Sequence, residues 1–235
     1  MDRVLEPEIM NDHDADVAYA RADFSDSNQA FADRLAAELD RAPAHGAPRR
    51  GVPLRILDLG CGPADVTVRM AHKLPHAHVV GVDGAQEMLH LAREAVRSAA
   101  LSKRVELHLG RVPGLDLPER GFDAVVSKDM LHHLPDPHGL WSECMRLGRV
   151  GAVILVMDLV RPSSPLEARE IVERVASHEH PLLKEDFYHS LCAAFTPEEV
   201  GAQLAAAGLA LEVERAGDRH WMVRGVLDGA AKARE

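Results

Sequence analysis

Cysteine is scarce in this sequence: Cys61, Cys144 and Cys192 are odd in number, far apart and set in apolar segments. Neither a disulfide framework nor a zinc ribbon can be built from that set, so reduced thiols are expected. Long apolar runs are missing as well, and the opening MDRVLEPEIMNDHDADVAYA is acidic where a signal peptide is basic and then apolar. A cytoplasmic chain with no membrane partner is expected. The formal net charge is -10, and Lys and Arg never cluster into the kind of run that phosphate contacts draw on. That argues against a nucleic-acid partner and for a small molecule.

What is present is enough for one domain with an appendage: 235 residues, 46% of them hydrophobic. Residues 1–50 read as a helical N-terminal cap and linker. In NQAFADRLAAELDRA, Phe31, Leu35 and Leu39 recur at steps of four, one face of a helix, and PAHGAPRRGVP then breaks the pattern. From Leu54 short β-type runs alternate with helical windows, which predicts a parallel sheet with helices on both faces over residues 51–235. The rhythm stops after Val160. Residues 161–195 read as an insert with helices near 165–177 and 183–194. Thr196, Pro197 and Glu199 then supply an N-cap, a first-turn proline and a capping-box acid, and two strands follow, joined at Gly217 and Asp218.

The stretch ILDLGCGPADV, residues 56–66, is an apolar run that meets an acid and then two glycines one residue apart. In an open parallel sheet the ligand crevice lies beyond the carboxyl ends of the strands, where the strand order reverses. Gly60 and Gly62 fall there and let the backbone turn tightly against a ligand. A dinucleotide site would put a third glycine at position 65, where the pyrophosphate meets a helix N-terminus, but Asp65 stands there instead. A ligand without phosphates is therefore expected. Asp83 ends the next strand, where two carboxylate oxygens can accept both hydroxyls of a ribose.

Together DLGCGPADV, GVDGAQEML and FDAVVSKDMLHHLPDP resemble the successive motifs of the class I S-adenosylmethionine-dependent methyltransferases, across roughly residues 54–225. The resemblance implies a Rossmann-like doubly wound α/β sheet of seven strands with an antiparallel last strand. It also implies S-adenosylmethionine as cofactor and S-adenosylhomocysteine as product. By motif, Gly60, Cys61 and Gly62 would line the methionine portion, Asp58 would orient the loop and the amino group, and Asp83, followed by Gly84, would bind the ribose. Met88 would meet the adenine edge, and Ser127 would offer a carbonyl to the ammonium. Gly110, Arg111 and Val112 would border the pocket. Arg111 departs from the family, which often has an acid there to accept from the adenine amino group, and an arginine accepts no hydrogen bond.

Acceptor chemistry is expected from SKDMLHHLPDP. Asp129 and His133 are four apart and share a face if the segment is a helical turn, with His132 pointing elsewhere. His133 is the first candidate base, His132 the second, and Asp129 an orienting or binding acid. Tyr188, Phe187 and His189 in the insert and Phe24 ahead of the first helix are candidate acceptor contacts, and Tyr19 could close the cofactor side. No metal is expected, because among the fourteen histidines no helical window shows a ligand pair at a four-residue step with an accompanying carboxylate at metal spacing. The expected activity is methyl transfer to an O, N or S atom of a small molecule, with a homodimer left open. The other readings are a cofactor-binding protein with different chemistry or a regulatory role, and a protein or RNA methyltransferase, although neither a basic face nor a recognition domain is visible.

Overall fold

The computed structural model describes residues 1–6, 24–42 and 53–228. Tyr19 and most of the Pro/Gly-rich linker lie outside them. Among the described residues helix α1 (Ser25–Arg41) comes first, then β1 (Leu54–Leu59), α2 (Asp65–Lys73), β2 (Ala77–Asp83), α3 (Gln86–Ser98) and β3 (Val105–Leu109). Strand β4 (Phe122–Lys128), α4 (His138–Leu147) and β5 (Gly148–Leu159) complete the alternating part. Helices α5 (Pro165–Val175), α6 (Pro181–Ala193) and α7 (Pro197–Ala207) precede the terminal hairpin β6 (Glu212–Ala216) and β7 (His220–Val226).

The strands form one seven-stranded sheet in the order β3-β2-β1-β4-β5-β7-β6. Strand β7 runs antiparallel to both β5 and β6, while β1 to β5 are parallel, so the expected antiparallel last strand is present. Apolar residues are nearly continuous along β1 and β5, as a sheet covered on both faces requires. The faces divide with a period of two. Leu57 and Leu59 pack with Val80, Val125, Trp141 and Trp221, whereas Ile56 packs with Val79, Phe31, Leu35 and Met70. Thus the four-residue spacing of Phe31 and Leu35 does turn an α1 face into the core, where each side chain contributes about 1.5–3 kcal/mol.

After β5 the two insert helices pack on each other around Ala168, Val172, Leu191 and Ala194. Helix α5 ends two residues before the expected 177, and α6 starts two residues before the expected 183. The second shift has a local cause. The ring nitrogen of His180 accepts from the Leu182 N–H, and Pro181, which has no N–H to lose, fits the first turn. Thr196 and Glu199 form the expected reciprocal capping box of α7. The reversal of strand order between β1 and β4 opens the crevice at their carboxyl ends.

Candidate cofactor and acceptor site

The backbone turns back sharply after β1. Gly60 and Cys61 both donate to the Val82 carbonyl, at 2.8 and 3.0 Å. Gly60 has φ +75°, and a Cβ there would lie 2.3 Å from Met130 Cγ. Gly62 has φ +51° and the opposite surroundings: no described atom lies within 4 Å of where its Cβ would be. Its N–H donates to Asp83 Oδ2 at 2.8 Å, and the Ala85 N–H donates to Asp83 Oδ1 at 2.8 Å. Each oxygen keeps a second lone pair. Burial pushes the Asp83 carboxyl up, against the N–H groups of Ala85 and Gly62 and the charge of His133, and the net direction is upward.

Asp58 lies beneath this loop, 2% exposed, and accepts from Thr67 Oγ1 at 2.5 Å. Burial raises its pKa to about 6; the Thr67 bond opposes that rise and the charge of Asp83 adds to it. Burial also pushes the Cys61 thiol up, with the charges of Asp58 and Asp83 adding to it, so this sulfur stays protonated. Buried Ser127 donates its hydroxyl to the Leu59 carbonyl at 2.8 Å, tying the end of β4 to the end of β1. At the ends of β2 and β3, Gly110 donates to the Asp83 carbonyl at 3.0 Å, and a Cβ on Gly84 would lie 3.3 Å from Arg111 Cγ. Met88 is buried in α3, and Val112 packs against the core cluster that contains Leu57 and Trp141. A groove of about 500 Å³ lined by Gln29, Asp65, Arg69 and Lys73 includes none of these groups.

The histidine segment differs from its expected form. Only Leu131–His133 is helical, as a single 3-10 turn, and Asp129 precedes it with φ +54°. Asp129 therefore shares no helical face with His133. It pairs instead with Lys128 and faces His220 Nε2 at 3.5 Å. Burial alone would raise the Asp129 carboxyl, but the charges of Lys128 and His220 hold it well below the usual range. His132 does not point elsewhere: its ring centroid lies 4.1 Å from that of His133. Asp158 Oδ1 is 2.6 Å from His132 Nδ1, and Asp158 Oδ2 accepts from the His132 N–H at 3.0 Å. Burial would depress this imidazole, but the charge and hydrogen bond of Asp158 outweigh it and raise the pKa to about 9. His132 is thus an imidazolium at neutral pH.

Residues 1–6 lie across this turn. Arg3 donates to the carbonyls of His132 and Leu134, both at 2.9 Å, and to Ala193, and its guanidinium stacks over the Phe195 ring. Val4 donates to the Cys192 carbonyl, and Glu6 Oε2 is 2.5 Å from His133 Nδ1. Burial opposes ionisation of Glu6, yet the hydrogen bond and charge of His133, with the charge of His132, bring its pKa down to about 2.

Residues 56–151 match a family described as a methyltransferase domain. That segment runs from β1 into β5 and contains the glycine loop, Asp83 and the histidine turn. The chain is 32% identical over 134 residues to an uncharacterized methyltransferase of Schizosaccharomyces pombe, covering 55% of this chain and 46% of that one. It is 34% identical over 111 residues to a demethylmenaquinone methyltransferase of Listeria welshimeri, covering 47% of each chain. The chain therefore spans less than half the length of these curated relatives. Among solved structures, a SAM-dependent methyltransferase from Aquifex aeolicus superposes with a TM-score of 0.63 at 18% identity, covering 91% of this chain and 98% of that one. That likeness is one of fold.

The side chains expected as acceptor contacts are less convergent than those around the glycine loop, and they lie outside the matched segment. Phe187 and Tyr188 pack against the small core between α5 and α6, and Arg169 stacks over the Tyr188 ring at 4.1 Å. His189 Nε2 faces Glu185, one turn earlier, at 3.4 Å. Phe24 immediately precedes α1 and is 39% exposed. Arg3, Glu6, Thr67 and Asp158 were not anticipated. Of these, only Asp158 carried a sequence signal, as an acid inside the apolar run VILVMDLV.

Proposed function

We propose that this chain transfers a methyl group from S-adenosylmethionine to an O, N or S atom of a small-molecule acceptor by in-line displacement. The observation that carries the reading is the closure of the glycine loop onto the acid of β2: Gly62 donates to Asp83 while its Cβ direction is open. That combination leaves bare backbone and spare carboxylate lone pairs side by side, a donor and acceptor set suited to an adenosyl ligand without phosphates. When bound, the cofactor supplies a methyl group already activated on a sulfonium.

The chain's own residues then have three tasks. Asp83 accepts the two ribose hydroxyls, and Gly60, Cys61 and Gly62 give the methionine portion room. Met88 meets the adenine edge, with Gly84, Gly110, Arg111 and Val112 as its neighbours. The Ser127 carbonyl takes the ammonium, with Asp58 and Thr67 fixing the loop from below. On the acceptor side His133 takes the proton of the attacking atom, and Glu6 orients that imidazole and stabilises it once charged. His132, already protonated through Asp158, positions the turn and offers a donor rather than a base. Residues 161–195, with Phe187, Tyr188 and His189, and the N-terminal segment form the acceptor side of the pocket, which excludes water.

Calorimetric titration tests the cofactor half. S-adenosylmethionine and S-adenosylhomocysteine should bind and NAD should not; binding of NAD alone would overturn the reading. A metabolite screen by mass spectrometry for a product heavier by one methylene unit tests the transfer.

A further inference from the structure

Besides the cofactor motifs, the fold gathers one set of side chains that neither the sheet nor the glycine loop explains. Glu6, His132 and His133 each present a ligand-type atom, and these atoms all lie within 4.8 Å of one another. We propose that these three residues bind one divalent transition-metal ion beside the cofactor crevice. The inference goes beyond methyl transfer, because metal binding requires no cofactor.

The donor set comes first. Two imidazoles and one carboxylate suit Zn²⁺, Mn²⁺, Fe²⁺ or Co²⁺, whereas Ca²⁺ and Mg²⁺ call for a shell of oxygens. Three protein ligands also leave coordination positions open, as at a reactive rather than a purely structural metal.

The second observation is the support behind His132. Its Nδ1 is held by Asp158 Oδ1 at 2.6 Å and its backbone N–H by Asp158 Oδ2, which leaves Nε2 as the atom it can offer. A carboxylate behind the distal nitrogen of a histidine is the arrangement that fixes ring orientation at metal centres and raises ligand basicity. His132 and Asp158 are 3% and 1% exposed in their side chains, so this support is built into the core and not borrowed from the surface.

The third observation concerns Glu6. Its Oε1 is buried and has no hydrogen-bond partner among the described residues, an unsettled state for a carboxylate oxygen. Its Oε2 sits 2.5 Å from His133 Nδ1, a separation spanned by a proton. An ion with bonds of about 2.1 Å at tetrahedral angles would replace that proton and spread the two atoms to about 3.4 Å, a shift of roughly half an ångström for each side chain. His133 is 41% exposed, so its side of the cluster is open to solvent and to an exchanging ligand. The Arg3 guanidinium is near, but it spends its donors on the carbonyls of His132, Leu134 and Ala193.

The proton balance is simple. The ion enters as the imidazoles and the carboxylate bind in unprotonated form, and the displaced protons leave to solvent. In the open position the ion would act as a Lewis acid, lowering the pKa of a bound water or of an acceptor oxygen. Oxygen-bearing acceptors, enols or phenols, are the class such a site would favour.

The full chain, treated with chelator and dialysed, is titrated with Co²⁺ and followed by its visible absorption, with S-adenosylhomocysteine affinity measured in parallel. One equivalent of Co²⁺ should bind with a new visible band. Glu6→Gln and His133→Gln, both on partly exposed groups, should each weaken that binding at least tenfold while circular dichroism stays unchanged. Asp158→Asn should weaken it by roughly 10- to 100-fold. Binding that is equal in wild type and Glu6→Gln would mark adventitious capture by surface histidines and overturn the proposal, as would no Co²⁺ uptake by the wild type. A wild type that takes Co²⁺ but not S-adenosylhomocysteine would uphold this site and defeat the methyl-transfer reading alone.

Discussion

Met130 sits where a side chain on Gly60 would have to go: its Cγ lies 2.3 Å from the Cβ position of that glycine. The residue after Lys128 and Asp129 thus packs into the turn that follows β1, and the histidine segment and the glycine loop are one packed unit. Gly62, two residues on, has open space in the same direction.

The two glycines should therefore fail differently. Gly60→Ala combines a left-handed backbone with a clash, and we expect about 3 kcal/mol of lost stability. Gly62→Ala pays only the backbone penalty, about 1 kcal/mol, but its methyl enters the space offered to the ligand. Chemical denaturation and calorimetry should show the first variant losing stability and the second losing S-adenosylhomocysteine affinity. The reverse pattern would mean that the open side of Gly62 is not the ligand side.

Asp83 offers a sharper test than the usual alanine change. Both of its oxygens already accept a backbone N–H, from Gly62 and from Ala85. Asparagine keeps the shape but turns one acceptor into a donor, which must then face an N–H. Asp83→Asn should accordingly weaken cofactor binding nearly as much as Asp83→Ala, by about 2–4 kcal/mol. An Asn variant that binds normally would separate the ribose site from this residue.

Sequence pattern reaches these residues because they sit at strand ends, where an apolar run, an acid and a glycine adjoin along the chain. The alternation after Leu54, the reciprocal cap at Thr196 and Glu199, and the hairpin at Gly217 are legible for the same reason. Glu6 is not, since nothing near it in the sequence signals His133. Asp129 misleads: four-residue spacing implies a shared face only if the residues between are helical, and its left-handed φ takes it out of the 3-10 turn. Tyr188 is expected as an acceptor contact, yet Arg169 on the neighbouring helix gives it a packing partner that periodicity cannot show.

Asp58 gives the stability curve a particular slope. The native carboxyl keeps its proton to about pH 6, while an unfolded aspartate releases it near pH 3.9. Between those values the native state holds more protons, so stability from this group is fully present below about pH 4 and is lost as pH rises through 6. The span is on the order of 3 kcal/mol. Asp58→Asn keeps an acceptor for Thr67 and removes the titration. Its melting temperature relative to wild type should rise from pH 4 to pH 7; a constant difference across that range would place the Asp58 pKa near its ordinary value.

The pair of His133 and Glu6 should behave as a unit in turnover. The carboxylate, held near a pKa of 2 by its histidine, is charged throughout the neutral range, and its partner ring is the one imidazole of the turn that Asp158 does not hold. Removing the ring takes away the proton acceptor, or one metal ligand. Removing the carboxylate leaves the ring unoriented, or the metal short of another. In both cases each single change spoils a function that needs the two together, so the losses should not add. With methyl transfer to the identified acceptor as the readout, His133→Gln and Glu6→Gln should each lower turnover by roughly 100-fold or more, and the double variant should fall little further. Cofactor affinity measured on the same three proteins should stay close to wild type, because Asp83 and the glycine loop remain intact. Losses that multiply in the double variant would show the two side chains acting separately, and a Glu6→Gln variant with full turnover would reduce this contact to a clasp for the first six residues.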